Sequence, residues 1–423
     1  MDILSALQDF IVESPSAYHA VASVAGRLDA AGFTRLRENE RWTLTPGRGY
    51  YVTRNASILS FRLPVCKAKS LHIIASHSDS PTFKLKPDPA LWSEGMLRLN
   101  VEGYGGMIRR SWFDRPLSVA GRVLVECGGV LREKLVYIDR DLLLIPSLAI
   151  HLSRDAAPAD KISVQGELLP LLGMSSDGWA QVLSEAADTA PERIAGADLF
   201  LTCRERPAVW GVNEEFFSAP RLDDLACVYT TLRGFLAAAP TEHIAVHAVF
   251  DNEEVGSRSL QGAESDFLAA TVRRVCRALG MDDEDCAALL ADSFLVSADN
   301  AHALHPNYAG KYDPVNRPRL NGGVVLKHQA GQRYTTDAVS EAVFRTVCRR
   351  CGVAVQEYAN HADVPGGSTL GNISVTQLSV RSVDIGLPQL AMHSAYETMG
   401  ATDANALADF AAAFYAEPLP KVE

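Results

Sequence analysis

The sequence predicts an α/β fold: a mostly parallel central sheet flanked by helices, interrupted by an inserted β-rich domain. Three observations carry this. Short apolar runs alternate with segments of helical periodicity in the first 88 residues and again from Arg221 onward, the pattern of strand–helix units. Several of these runs end in an acid or a histidine just before glycine or proline, as strands do at the C-terminal edge of an α/β sheet. Between Pro89 and Pro220 the helical pattern weakens and hairpin signals take over. One domain is therefore expected from residues 1–88 and 221–423, and an insert from 89–220.

The elements follow in order. A helix is expected from Ser14, as N-cap with Pro15 at the first helical position, to a stop at Gly32; Val21, Val24 and Leu28 form its apolar stripe. Leu71–Ser76 reads as a buried strand that runs into His77-Ser-Asp79-Ser-Pro81. Val119–Glu126 and Leu131–Asp139 flank Gly128-Gly129, a hairpin signal, and Asp198–Cys203 is a further strand. Leu222, Leu225, Val228, Tyr229, Leu232 and Leu236 fall at helical spacing. A strand over Val246–Phe250, a helix near Asp266–Leu279, and strands over Ser293–Asp299 and Gly323–Lys327 come next. The chain continues with a helix from Thr336 to Cys351 closed by Gly352, a strand over Val353–Tyr358 and a glycine-rich loop, Gly366–Gly371. A strand-like run from Ile373 to Val383 leads to His393, and a helix near Asp403–Phe414 closes the pattern.

Composition narrows the function. The chain has 423 residues, 47% hydrophobic and 22% charged, and 40 basic against 51 acidic residues give −11. That balance argues against a nucleic-acid surface, which needs a basic stripe, and against anionic membranes. No apolar run approaches the roughly 20 residues that span a bilayer. Met1–Phe10 carries an early acid and no basic segment, so no signal peptide is expected. Eight cysteines, mostly within apolar runs, suit thiols of a reducing compartment, so the expected location is cytoplasmic. Cys348-Arg-Arg-Cys351 lies in a helical pattern without a second pair and is read as structural.

The chemistry begins at Glu253-Glu254, where paired acids follow an apolar strand and precede Val255-Gly256. One carboxylate of such a pair can hold a metal while the other takes a proton from water. His77, Asp223, Asp299 and His393 also stand at element ends. Each alone is compatible with a wet loop or a helix-terminal acid. Together with Glu254 they make a mixed nitrogen and oxygen set suited to zinc, cobalt or manganese. Five such groups are too many for one tetrahedral zinc that keeps a water site, and they fit two ions sharing one carboxylate. Asp79, two residues past His77 in an extended stretch, faces the same way and is expected to orient that imidazole or to lie under the ion pair.

The motifs resemble the M18 family of metallo-aminopeptidases, the aspartyl aminopeptidases, within the co-catalytic dizinc exopeptidases. The matching segments are Ser76–Pro81, Ser218–Asp224, Asp251–Ser257, Ser297–His302, Lys327 with Gln332–Tyr334, Gly366–Gly371 and Ala391–Glu397, which span most of the chain in the family's order. The resemblance implies two divalent ions per subunit, most simply zinc, bridged by Asp223. His77 and Asp299 would complete one site, and Glu254 and His393 the other, with Glu253 as general base and Asp79 assisting. It makes 89–220 a dimerisation insert, in which His151 would reach a neighbouring subunit's active site; an alternative three-histidine picture makes His77, His151 and His393 the zinc ligands. It implies peptide substrates with N-terminal Asp or Glu, read by Lys327, with Gly366 and Gly367 presenting backbone N–H groups. It also implies a homo-oligomer, a tetrahedral dodecamer. Asn372 stands where the family pattern often has proline. A related deacylase or carboxypeptidase, or a self-assembling scaffold with little activity, is the alternative function.

Overall fold

The computed structural model describes residues 2–152, 162–176, 178–239, 242–364 and 366–422, so residues 153–161 of the expected insert lie outside the described residues. A nine-stranded sheet forms the centre. Its middle is parallel: His243–Phe250, Ser70–His77, Phe294–Ala298 and Arg381–Gly386 lie side by side in that order. These strands are almost wholly buried, as parallel strands with covered faces are. The sheet as a whole is mixed. Gly49–Arg54 and Ser57–Arg62 form an antiparallel hairpin that joins His243–Phe250 antiparallel, and Val324–His328 runs antiparallel to Arg381–Gly386. Two apolar clusters form the core. One holds Leu222, Leu225, Val228 and Leu232 with Phe410 and Phe414, and the other holds Phe61, Ile73, Phe250 and Phe267.

A separate six-stranded antiparallel sheet spans Thr82–Cys203, with its own core around Phe83, Trp112, Val119 and Leu201. The expected hairpin is there: Leu117–Cys127 pairs with Val130–Tyr137 across Gly128 and Gly129. Both glycines have positive φ, 60° and 77°, the conformation a tight turn between twisted strands demands. A third, five-stranded sheet joins Phe216–Ala219 to Glu397–Gly400 and Pro388–Leu390.

Two elements differ from expectation. The first helical region is two helices, Ile3–Glu13 and Ala17–Ala30, and the N-cap of the second is Ser16 rather than Ser14. An N-cap carbonyl must accept the first helical bond. Ser16 O accepts from Ala20 N, whereas Ser14 closes the first helix, its N–H donating to the Ile11 carbonyl, and its own carbonyl accepts from the Arg221 guanidinium. The run from Ile373 to Val383 is not one strand. Leu370–Leu378 is a helix, closed by Ser379 at φ 53°, and only Arg381–Gly386 is a strand. β-branched Ile373, Val375 and Thr376 gave the strand-like texture, but burial of Leu370, Ser374 and Leu378 at intervals of four decides for helix.

Candidate metal centre

The parallel strands bring the predicted groups to one edge. Phe250 pairs with His77 and Ser297 with Ala75, so three neighbouring strands end together. His77 closes one, Glu253 and Glu254 follow the second in a short turn, and Asp299 follows the third. Asp223 enters from the start of Leu222–Ala237, where it and Asp224 leave helical geometry behind a left-handed Arg221. His393 sits on the loop before Glu397–Gly400, itself at φ 67°.

Asp223 lies at the centre. Its Oδ1 is 3.4 Å from His77 Nε2, and its Oδ2 is 3.6 Å from His393 Nε2. His393 Nε2 is 3.4 Å from Glu254 Oε1, and His77 Nε2 is 4.0 Å from Asp299 Oδ1. His77, Asp223, Asp224 and Asp299 form one group whose ligand-type atoms lie within 4.8 Å of one another; Asp223, Glu254 and His393 form a second. Both groups contain Asp223, and a third at the same place, His77, Glu253 and Glu254, shares His77 with the first and Glu254 with the second.

The rings are set for coordination. His77 Nδ1 bonds to the Asp79 carbonyl at 3.0 Å, and His393 Nδ1 to the Gly106 carbonyl at 2.8 Å. A carbonyl accepts only, so each Nδ1 carries a proton, which leaves each Nε2, facing the carboxylates, as the nitrogen that would hold an ion. Asp223 Oδ1 and Glu254 Oε1 are buried without a hydrogen bond. Such atoms cost about 1–3 kcal/mol or more when left bare, and a cation is the partner that suits them.

Electrostatics point the same way. Burial, then the neighbouring Asp299, Asp79 and Asp223, pushes the Glu253 carboxyl up to about 8, although His77 opposes this. Burial and nearby acids also push Glu254 and Asp224 well above the usual carboxylate range. The His77 imidazole is raised well above its ordinary value: burial opposes, but Asp223, Asp224 and Asp79 outweigh it. This much negative charge in one buried place is what divalent cations relieve.

Asp79 meets His77 through its main-chain carbonyl rather than through the expected carboxylate, which stands 3.5 Å from Nδ1 and is engaged elsewhere. Its carboxylate accepts the backbone N–H of Glu253 at 3.2 Å, that of Glu254 at 3.1 Å, and the Tyr104 hydroxyl at 2.7 Å. Lys327 is 2% exposed, with Nζ 3.6 Å from Asp299 Oδ2 and 5.5 Å above the Tyr334 ring. Burial works against its charge, yet Asp299 and its neighbours hold the ammonium above the usual lysine range. A cleft of about 650 Å³ opens over these groups, walled by His302, Tyr334, Tyr358, Gly367 and Met392. Gly367 lines it. Gly366 lies beside it, packed so tightly on Asn360 that a Cβ would fall 2.2 Å from Nδ2, and its carbonyl accepts from Arg333. His151 is exposed on the turn Ile150–Leu152 and belongs to none of the groups able to share an ion among the described residues.

Three participants were missed. Asp224 was overshadowed by Asp223. Glu397 accepts the backbone N–H of Asp223 at 3.0 Å and of His393 at 2.7 Å; it closes the matching segment Ala391–Glu397 but had no role assigned. Tyr104 comes from the six-stranded sheet, and no sequence signal linked it to the centre.

Comparison with known proteins agrees with this geometry. Residues 10–415 match the family model Aminopeptidase I zinc metalloprotease (M18). A probable M18 family aminopeptidase 2 of Clostridium novyi is 42% identical over 412 residues, covering 94% of each chain. Its Pseudomonas aeruginosa counterpart is 40% identical over 424 residues, covering 97% of each. Ape4, solved in complex with Nbr1, superposes with a TM-score of 0.93 at 36% identity, covering 98% of this chain and 85% of that one. The mApe1 of Chaetomium thermophilum gives 0.89 at 30% identity, covering 98% and 97%. The mApe1 dodecamer of S. cerevisiae gives 0.86 at 27% identity, covering 98% and 96%. These matches do not favour a deacylase, a carboxypeptidase or an inactive scaffold. With a zinc-metalloprotease family model along nearly its whole length and a buried histidine–carboxylate centre to match, the chain belongs to the M18 family of metallo-aminopeptidases.

Proposed function

We propose that this metallo-aminopeptidase holds two divalent ions per subunit, most simply zinc, and removes N-terminal Asp or Glu from peptides. The observation that carries the two-ion reading is Asp223, which offers one oxygen to each of two histidines and leaves Oδ1 without a hydrogen bond. In this reading His77 and Asp299 complete one site, and His393 and Glu254 the other. Two ions so held supply a water of lowered pKa and polarise the scissile carbonyl. Glu253, half-buried at the same edge, takes the proton of the attacking water and returns it to the leaving amine. Asp79 keeps Glu253 and Glu254 in place through their backbone N–H groups. Lys327 gives the acidic side chain its countercharge, a local one in a chain of net charge −11. Backbone N–H groups at Gly366 and Gly367 orient the peptide.

Residues 1–88 and 221–423 act in this reading as the catalytic domain and 89–220 as a dimerisation insert. The separate core of the six-stranded sheet supports a division of this kind, with the sheet itself running from Thr82 to Cys203. His151, on an exposed turn between Ile150 and Leu152, reaches a neighbouring subunit's active site within a dodecamer. The enzyme works in the cytoplasm; no helix among the described residues is long and apolar enough to cross a membrane.

The test combines zinc analysis with an aminoacyl panel. About two zinc per chain, loss of activity with chelator, and cleavage of Asp-peptides but not their N-acetylated forms are expected. One ion per chain, or cleavage of the acetylated peptide, would reject the reading.

A further inference from the structure

Behind the ion-binding edge lies a polar circuit whose residues have yet to be given a role as a unit. Asn300, Gln389 and Glu397 are 2%, 1% and 2% exposed, among the more deeply buried polar side chains of the chain. Asn300 Nδ2 donates to Gln389 Oε1 at 2.8 Å and to the Leu222 carbonyl at 2.9 Å. Gln389 Nε2 donates to Glu397 Oε1 at 3.4 Å. Glu397 Oε2 accepts the Asp223 N–H at 3.0 Å. The Leu222 carbonyl and the Asp223 N–H belong to one peptide group. The circuit therefore closes: Asn300, Gln389, Glu397 and back through the Leu222–Asp223 peptide.

Asn300, Glu397 and the shared peptide each adjoin a candidate ligand, and Gln389 joins Asn300 to Glu397. Asn300 follows Asp299 directly. Glu397 Oε1 also accepts the His393 N–H at 2.7 Å. The shared peptide ends at Asp223. Asn300 Oδ1 is occupied as well, by the Cys227 thiol at 3.2 Å, so its amide cannot turn without losing bonds. Buried amides and acids with their partners in place fix one arrangement, because the alternatives leave bare polar atoms.

We propose that Asn300, Gln389 and Glu397 are positioning residues that act as one unit, presetting Asp223, Asp299 and His393 so that both ions meet a ready site. This rests on the two-ion reading above. Gln389 is the brace: without it, Asn300 and Glu397 are joined only through the Leu222–Asp223 peptide, and each keeps a buried polar atom with one partner fewer. Groups that orient ligands in this manner typically change metal affinity by about 10–100-fold when altered.

The test is Gln389→Leu, close in volume, with Gln389→Asn as a milder second variant that keeps an amide but shortens its reach. Zinc affinity is measured by competition with a chromophoric chelator, and melting temperature with and without saturating zinc. Expected is a drop of at least about tenfold in both zinc-binding steps, with saturating zinc restoring most of the melting temperature. A lowered melting temperature with unchanged zinc affinity means a merely structural role and overturns the proposal. So does weakening of one step alone. Wild-type protein that binds a single zinc is a separate outcome: it removes the two-ion reading, and the proposal with it.

Discussion

The Asp79 carboxylate holds Glu253 by its backbone, accepting that N–H at 3.2 Å while its other oxygen accepts Glu254 N–H at 3.1 Å. One acid thus fixes the neighbouring pair from below, and the Tyr104 hydroxyl, from the six-stranded sheet, closes the same carboxylate at 2.7 Å. Asp79→Asn replaces one accepting oxygen with a donor that faces an N–H. The turn should shift, carrying both Glu253 and Glu254 with it. We expect kcat to fall by about 10²-fold and zinc affinity to weaken, since small displacements of catalytic groups have effects of that size. Unchanged kcat with full zinc content would show that the turn holds itself.

Glu253→Gln separates proton transfer from ion binding. The amide fills the same space but cannot take a proton. Zinc content should stay at the wild-type level while kcat drops by about 10²–10⁴-fold, the usual worth of a positioned base. Atomic absorption on the same sample used for kinetics checks both halves. A variant with wild-type turnover ends the assignment.

Much of this centre was legible because its residues end elements that periodicity reveals. Apolar runs before His77, Glu253 and Asp299 announce parallel strands, and parallel strands deliver their ends to one edge. What stayed hidden depends on pairings between distant segments. Tyr104 reaches Asp79 only because the six-stranded sheet packs against the central domain. Glu397 reaches Asp223 only because Phe216–Ala219 and Glu397–Gly400 are paired antiparallel, with Ala219 opposite Glu397. The helix Leu370–Leu378 was read as strand because β-branched texture speaks for local preference, whereas burial at every fourth residue is imposed by the tertiary fold. Ser14 looked like an N-cap, but it closes the helix Ile3–Glu13, its N–H bonded to the Ile11 carbonyl, while the long-range bond from Arg221 holds its own carbonyl.

Lys327 is buried at 2% exposure, whereas a lysine at a strand end is ordinarily solvated. Its partner Asp299 is also among the proposed ligands, so the ammonium stands where a substrate carboxylate could meet it beside the ions. Lys327→Ala should lower kcat/KM for an N-terminal Asp peptide by at least about 30-fold, as loss of a buried charge partner typically costs about 2–5 kcal/mol. The loss for an N-terminal Leu peptide should be much smaller. Equal losses would mean that the lysine serves Asp299 alone, and Lys327→Met, which keeps the stem, distinguishes lost charge from lost packing.

Asp403 offers a pH test away from the ions. It opens the last helix, and its two oxygens accept the N–H groups of Asn321 at 2.7 Å and Gly323 at 2.9 Å. Burial pushes its carboxyl up to about 7 from an ordinary 3.8, although those two bonds oppose the rise. A raised acid binds its proton more tightly in the folded chain than in the unfolded one. Its stabilising contribution is therefore complete below the ordinary value, is lost as pH rises through about 7, and stays level beyond. Asp403→Asn cannot titrate. Taking the difference in melting temperature between wild type and variant cancels the histidines, such as His72 and His247, whose burial holds them below their usual value and which titrate in the same range. In chelator-treated protein, which has no ion to lose as pH falls, the wild-type advantage should be greatest near pH 4, should shrink steadily up to about pH 7, and should then stop changing. A difference that is constant across that range would mean that Asp403 keeps an ordinary acidity in the folded protein.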